Sequence, residues 1–171
     1  IKVKNSAGIV TQAIVTLDSH SYIDGDILGL AWKYDNLHDS QVNWYKTEIQ
    51  KLVSANMAID PTATELKNLA FLHIPTMEYR DAWKEYVEAG NKDTDNVKFD
   101  FGVMGESDGN KNGVKTWGIY CGMEPCSFFE AGLENGLQGI FCGHDHYNNF
   151  SVFYNGGEGD KYIRLTYGMS T

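Results

Sequence analysis

The sequence predicts a mixed α/β (α+β) fold in which strands and helices share one domain spanning residues 1–171. Short apolar runs of strand length alternate with longer amphipathic stretches of helical period. Turn residues separate the two final apolar runs at Gly156-Gly157. The length suits a single domain, and the 42% hydrophobic share is ordinary for a globular protein.

The first half of the chain reads as strand, helix, strand and helix. Ile9–Leu17 is β-branched and apolar, which predicts a buried strand. Asp39–Met57 carries an apolar stripe at helical spacing, and Asp39 or Ser40 is the predicted N-terminal cap. Leu66–His73 is a second predicted strand that ends at a histidine, and Arg80–Ala89 is a second predicted helix.

The second half begins with a polar, glycine-dotted segment, 91–118, which we expect to be an irregular excursion. Ser127–Asn135 predicts a helix capped by Ser127, and Leu137–Cys142 predicts a strand directly after it. Asn149–Tyr154 and Tyr162–Tyr167 are expected to pair as an antiparallel hairpin.

Charge and hydropathy exclude some classes of partner. Fourteen basic against 23 acidic residues give a net charge of −9, which argues against binding nucleic acid or an anionic membrane surface. No apolar run reaches the roughly 18 residues of a spanning helix. Three cysteines occur without a C-x-x-C pair, so we expect either free thiols or one bridge between Cys121 and Cys126.

The residues with the clearest chemistry are histidines that follow predicted strands. Gly143-His144-Asp145-His146 comes directly after the strand 137–142, and His73 ends the strand 66–73. In an extended loop, alternate side chains can point into one cleft, so His144 and His146 can serve neighbouring metal positions. Imidazole suits zinc, iron, manganese and nickel. The alternative is a polar turn with solvated histidines.

Hard hydrolytic ions also require carboxylate ligands, and a two-metal centre needs a bridging oxygen donor. Asp18-Ser19-His20 follows the first predicted strand and could supply such donors, as could Asp24 and Asp26. The alternative for these acidic residues is a solvated surface loop.

The same residues resemble the calcineurin-like metallophosphoesterases, and most closely their purple-acid-phosphatase-like branch. The matching blocks run in family order over most of the chain, and the block around His144 is the most specific of them. They are L-D-S at 17–19, D-S-Q-V-N-W-Y at 39–45, L-H-I-P-T-M-E-Y at 72–79, S-F-F-E-A at 127–131, G-I-F-C-G-H-D-H-Y-N-N-F at 139–150 and L-T-Y-G at 165–168.

The resemblance implies a two-sheet β-sandwich flanked by helices, with a dinuclear centre of iron, zinc or manganese at the strand ends. It implies that His73 and His144 bind one metal ion and that His146 binds the other. Asn148 stands where the family keeps an asparagine next to the site, which implies a substrate-binding role. The substrate implied is a phosphate ester.

The chain departs from the family in the motifs of its first half. Gly25-Asp26 lacks the second aspartate of the family's Gly-Asp-x-x-Asp motif, and no Gly-Asn-His occurs. Asp18-Ser19-His20 resembles the family's first motif, but the helix with Gln41 and Trp44 places it after the missing blocks. We therefore expect this chain to be the C-terminal portion of such a catalytic domain, weakly active or inactive alone.

Half of a two-sheet fold would expose a sheet edge or a core face, so self-association through an exposed sheet edge is expected. Two other functions remain open at this point. One is a non-catalytic interaction domain on a phosphatase-like fold. The other is a different metal-dependent hydrolase whose site is completed by Asp18 or His20.

Overall fold

A computed structural model describes residues 1–23, 33–111, 113–157 and 159–168 of the chain. The described residues form eleven strands and three helices. In chain order they are β1 Lys2–Lys4, β2 Val10–Thr16, β3 Tyr22–Ile23, β4 Lys33–Tyr34, α1 Asp39–Met57, β5 Lys67–Phe71, α2 Met77–Glu88, β6 Val97–Phe101, β7 Asn110–Lys111, β8 Val114–Lys115, α3 Phe128–Glu134, β9 Leu137–Cys142, β10 Ser151–Tyr154 and β11 Ile163–Tyr167. None of these helices is both long and apolar enough to span a membrane.

Seven of the strands form one mixed sheet in the order β1-β2-β5-β9-β11-β10-β6. The four consecutive neighbours β2, β5, β9 and β11 are parallel, and the outer strands pair antiparallel. Two separate two-stranded ribbons, β3-β4 and β7-β8, complete the described strands. Because parallel strands end at the same edge of a sheet, the loops after β2, β5 and β9 meet there.

All three helices pack against one face of the sheet. Tyr45 of α1 donates a 2.8 Å hydrogen bond to Asn68 of β5, and the ring of Tyr79 of α2 contacts that of Tyr167 of β11. Phe129 of α3 contacts Tyr154 of β10 on the same face. The strand residues on this face are buried, and they carry the core of the domain. They include Ala13, Val15, Ala70, Ile140, Leu165 and Val152.

The opposite face of the sheet is not covered by any helix in the described part of the chain. Phe71 and Phe141 stack there at a centroid separation of 4.9 Å, and Phe71 is 39% exposed. The Arg164 guanidinium lies 4.8 Å from the ring centroid of Phe153 on this face. Parallel sheets in proteins are almost always covered on both faces. This face, which carries both aromatic rings and the Arg164–Asp100 ion pair, therefore has no helix over it among the described residues.

Most predicted elements are confirmed. Helix α1 occupies the predicted range Asp39–Met57, although its N-cap residue is His38 and not Asp39 or Ser40. Strand β9 matches Leu137–Cys142, and β10 and β11 form the predicted antiparallel hairpin. Helix α2 begins three residues earlier than predicted, at Met77.

The prediction of an irregular excursion over 91–118 is wrong for its first part. Val97–Phe101 forms β6 at the sheet edge, paired antiparallel with β10. The alternation of Val97, Phe99 and Phe101 with two charged residues is the signal of such a strand. Because this strand lies within a polar, glycine-rich stretch, its alternation was not recognised as that of a strand.

The three cysteines are free thiols, so the bridge considered between Cys121 and Cys126 does not form. Burial raises the pKa of Cys121 to about 12. A thiol held protonated in this way is a packing residue and not a reactive one.

Candidate metal centre at the carboxyl edge of the sheet

Backbone and side-chain hydrogen bonds lock the loops that follow β2, β5 and β9 to one another. The Ile74 N–H donates to Ser19 Oγ at 2.7 Å, and the Gly143 N–H donates to the His73 carbonyl at 3.1 Å. The Leu17 N–H donates to the Phe71 carbonyl at 2.9 Å. The parallel ladder therefore continues past the strand ends and fixes the histidine-bearing loops.

The structure places His73 and His144 side by side. Their ring centroids are 5.3 Å apart, and the rings are nearly perpendicular at 85°. His144 has a left-handed backbone with φ of 74°, a conformation that is unfavourable for a residue with a side chain. Such strain persists only where the surrounding structure imposes it. Here the turn directly after β9 brings the His144 ring against His73.

Within the block His144-Asp145-His146, the aspartate and the histidines differ in burial. Asp145 is buried, and its Oδ2 accepts hydrogen bonds from the Tyr167 hydroxyl at 2.6 Å and the Tyr120 N–H at 3.1 Å. His144 is half-buried and His146 is exposed, and both line the same pocket. Asp145 thus anchors the turn to the core, and the two histidines on either side of it face the pocket.

Electrostatics favour a neutral imidazole at His144. Burial, together with the neighbouring His73 and His146, lowers its pKa to about 4. A neutral imidazole keeps the nitrogen lone pair that a metal ion requires. His144 is therefore in its ligand-competent form at neutral pH.

A shallow pocket of about 260 Å³ opens beside these histidines. Its lining residues are Tyr34, Glu106, Tyr120, His144, Asp145, His146 and Tyr147. The Tyr34 ring meets the His144 ring edge-on, with centroids 4.5 Å apart. Glu106 is the one lining carboxylate besides Asp145 among the described residues, and it is half-buried. Neither Glu106 nor Tyr34 was predicted from sequence, because each lies far along the chain from the histidines, Tyr34 in β4 and Glu106 in a loop.

A larger cavity of about 640 Å³ lies at the other end of the parallel strands, where β5 and β9 begin. Lys67 and Lys161 are among its lining residues, and no histidine or cysteine is. We assign the chemistry to the smaller pocket, because it alone of the two is lined by histidines.

Asn148 is fully buried and uses its amide inside the protein. Its Oδ1 accepts the N–H groups of Gly105 at 3.1 Å and Glu106 at 3.0 Å, and its Nδ2 donates to the Gly118 carbonyl at 2.9 Å. The side chain therefore joins two loops beneath the pocket. Its substrate-binding role stays a prediction.

Asp18 and His20 lie at the same edge of the sheet but belong to a different group of side chains. His20 Nε2 is 3.1 Å from Gln41 Oε1, and its ring stacks on that of His38 with centroids 4.3 Å apart. Within the described ranges, one group of three residues brings its ligand atoms within 4.8 Å of one another, namely His20, Asp35 and His38. His73, His144 and His146 are not so compact. Asp24 and Asp26 lie outside the described residues.

Comparison with protein-family models, with curated proteins and with solved structures gave no match. The function of the chain is therefore inferred from its residues and from the geometry of the site.

Proposed function

We propose that this chain is the C-terminal portion of a calcineurin-like metallophosphoesterase of the purple-acid-phosphatase-like branch, which hydrolyses phosphate esters at a dinuclear metal centre. The observation that carries the proposal is the contact between His73 and His144, whose ring centroids are 5.3 Å apart. These two residues lie 71 positions apart in the sequence. Their meeting at the carboxyl edge agrees with the usual position of sites in sheets of this kind.

The donor set fits part of such a centre. His73 and His144 are proposed to hold one ion and His146 the other, and imidazole suits zinc, iron and manganese. The carboxylates that a bridged pair requires are scarce in the described pocket, since Asp145 is buried in internal hydrogen bonds and Glu106 is the remaining acid. The residues thus fit the histidine half of a dinuclear centre and not the whole of it.

When bound, two such ions would lower the pKa of a coordinated water and polarise the phosphoryl oxygens. The contribution of this chain is to place and orient imidazoles. The Tyr34 ring lies edge-on against His144, and the Asp145 anchor fixes the turn between His144 and His146. The chain alone is expected to turn over phosphate esters weakly or not at all, because its described residues hold only part of the ligand set.

The finer fold proposal is that this sheet is one layer of a two-sheet β-sandwich. The open face around Phe71, Phe141 and Phe153 supports it, since that face presents three aromatic rings and carries no helix among the described residues. A second sheet packed there would leave the helices on the outside.

The test is metal content and turnover of a generic aryl phosphate, measured with manganese, zinc or iron supplied. We expect bound metal in the unmodified chain, reduced binding in His73→Ala and His144→Ala, and little turnover in any of them. Gln138→Ala is the control, since Gln138 is exposed near the opposite end of β9 and lines the other cavity. This variant should bind as much metal as the unmodified chain.

Two outcomes contradict the proposal. Metal binding that is unaffected by His73→Ala and His144→Ala, or absent altogether, would favour a non-catalytic interaction domain. Robust turnover abolished by His144→Ala would show that the site is complete in this chain and would refute the incomplete ligand set.

A further inference from the structure

We propose that His20, Asp35 and His38 form a second cation site, which binds a single divalent ion of the zinc class. The site shares no residue with the proposed centre of His73, His144 and His146, and it does not depend on the phosphoesterase proposal. It accounts for the two histidines of the chain's five that the first pocket leaves unused.

Two connections bring the three residues together. His20 lies in the loop between β2 and β3, and Asp35 and His38 lie between β4 and α1. Their ligand atoms are all within 4.8 Å of one another, and His38 Nε2 is already 3.1 Å from Asp35 Oδ2. Ligand atoms on one tetrahedral zinc are roughly 3.4 Å apart, as follows from bond lengths near 2.1 Å. A closure of up to about 1.4 Å would bring the set to that spacing.

Gln41 holds the histidines in place from the first turn of α1. Its Oε1 is 3.1 Å from His20 Nε2 and accepts the His38 N–H at 2.8 Å, and its Nε2 donates to the Asp18 carbonyl at 2.7 Å. A His20 ring that donates from Nε2 to this oxygen keeps the lone pair on Nδ1 for a metal. Ligating histidines in proteins are commonly oriented by such a partner on the other nitrogen.

The chemistry and access of the cluster suit a cation. Two imidazoles with one carboxylate are a typical ligand set for zinc and related ions. Asp18 Oδ2 lies 3.9 Å from His20 Nδ1 and adds a second negative charge beside the set. The side chain of His38 is 54% exposed and that of Asp35 only 14%, so an ion can enter from solvent and reach a carboxylate held by its surroundings.

The competing interpretation is a hydrogen-bonded network that caps α1 and needs no ion. In that case His38 and Asp35 form a simple ion pair and the two rings merely stack. The two interpretations differ in one measurable respect, because only the first predicts a binding site that depends on Asp35.

The experiment titrates Co²⁺ into a background variant in which His73, His144 and His146 are all alanine. Far-ultraviolet circular dichroism first verifies that this variant is folded. We expect one equivalent of Co²⁺ to bind with the visible absorption of a low-coordinate site, and Zn²⁺ to displace it. In the same background, Asp35→Asn should weaken binding by at least about tenfold. Asp39→Asn, which neutralises an exposed carboxylate four residues away, should leave binding unchanged.

Loss of all Co²⁺ binding in the folded background, or equal binding in Asp35→Asn and Asp39→Asn, would overturn the proposal. If Asp35→Asn does not fold, His38→Gln is used in its place. His38 is exposed, and this substitution should weaken Co²⁺ binding by the same factor. Failure of the phosphoesterase proposal has a different signature, because the unmodified chain and the background variant would then bind the same number of ions.

Discussion

The backbone N–H of Ile74 donates a 2.7 Å hydrogen bond to the hydroxyl oxygen of Ser19, and both residues are buried. This bond joins the carboxyl end of β2 to that of β5. It thereby fixes the loop that carries His20, one residue after Ser19, to the loop that carries His73, one residue before Ile74. Together with the hydrogen bond from the Leu17 N–H to the Phe71 carbonyl, it holds the two loops at one edge of the sheet.

Replacing Ser19 with alanine should destabilise the chain by about 1–3 kcal/mol, because the Ile74 N–H would remain buried without a partner. The free energy of unfolding, measured by urea titration, checks this expectation. Ser21→Ala is the control, since Ser21 is exposed, and it should change stability by less than about 0.5 kcal/mol. Equal effects of the two substitutions would contradict the role assigned to Ser19.

The buried carboxyl of Glu78 should make stability fall as the pH rises. Burial raises the pKa of Glu78 to about 7 from an ordinary value of 4.5, and its Oε2 is shielded from solvent without a hydrogen-bond partner in the described structure. Between these two values the folded state holds a proton that the unfolded state releases. The stability from the protonated form is therefore complete below pH 4.5 and is lost as the pH rises through 7, by roughly 3 kcal/mol.

Urea titrations at pH 4.5 and pH 8 test the prediction by comparison of variants. Glu78→Gln should lose less stability than the unmodified chain over this range. Glu88→Gln, at an exposed position of the same helix, should behave like the unmodified chain. The same pH dependence in all three proteins would show that Glu78 ionises freely in the fold.

Asn148→Asp should be strongly destabilising, by at least about 2 kcal/mol. The substitution removes the donor to the Gly118 carbonyl and puts a carboxylate beside buried Asp145. Asn149→Asp is the matched control, because its Oδ1 accepts the Val103 N–H and a carboxylate oxygen can do the same. Stable folding of Asn148→Asp together with weakened phosphate binding would instead favour the substrate-binding role predicted from the resemblance.

Self-association through a sheet edge is expected to use β1. The outer strand at the other edge, β6, is partly covered by its own chain, since the Phe99 N–H donates to Asp93 Oδ1 and the Val97 N–H to Thr94 Oγ1. Strand β1 carries exposed Lys2 and Lys4, which weaken edge pairing without preventing it. Amide exchange at residues 2–4 should slow as protein concentration rises and light scattering shows larger species. Exchange independent of concentration would contradict association through this edge.

The open sheet face should bind a hydrophobic dye. Phe71→Lys, which interrupts the stacked pair with Phe141, should lower the fluorescence of bound anilinonaphthalene sulfonate. Ile59→Lys is the control, because Ile59 is 53% exposed in a loop away from the sheet. Equal dye binding by both variants would show that the face is covered in solution.

The sequence by itself determined the local elements and the clearest chemical motif. The apolar stripe over 39–57 and the apolar run over 137–142 predicted α1 and β9 with the correct bounds, because periodicity and run length are local properties. The glycine and alternating histidines after β9 likewise marked the turn at 143–146. The strand Val97–Phe101 was missed because its alternation lies within a polar stretch.

Only the tertiary structure decided which residues meet. The order of neighbours in the sheet places β5 beside β9, and that long-range pairing brings His73 to within 5.3 Å of His144. The same packing buries Asp145, whose carboxylate accepts a hydrogen bond from the Tyr167 hydroxyl. It also engages the Asn148 amide in hydrogen bonds to a loop and places Asp35 and His38 close to His20. Such contacts arise from the burial of distant segments against one another, which leaves no periodic signal at the positions themselves.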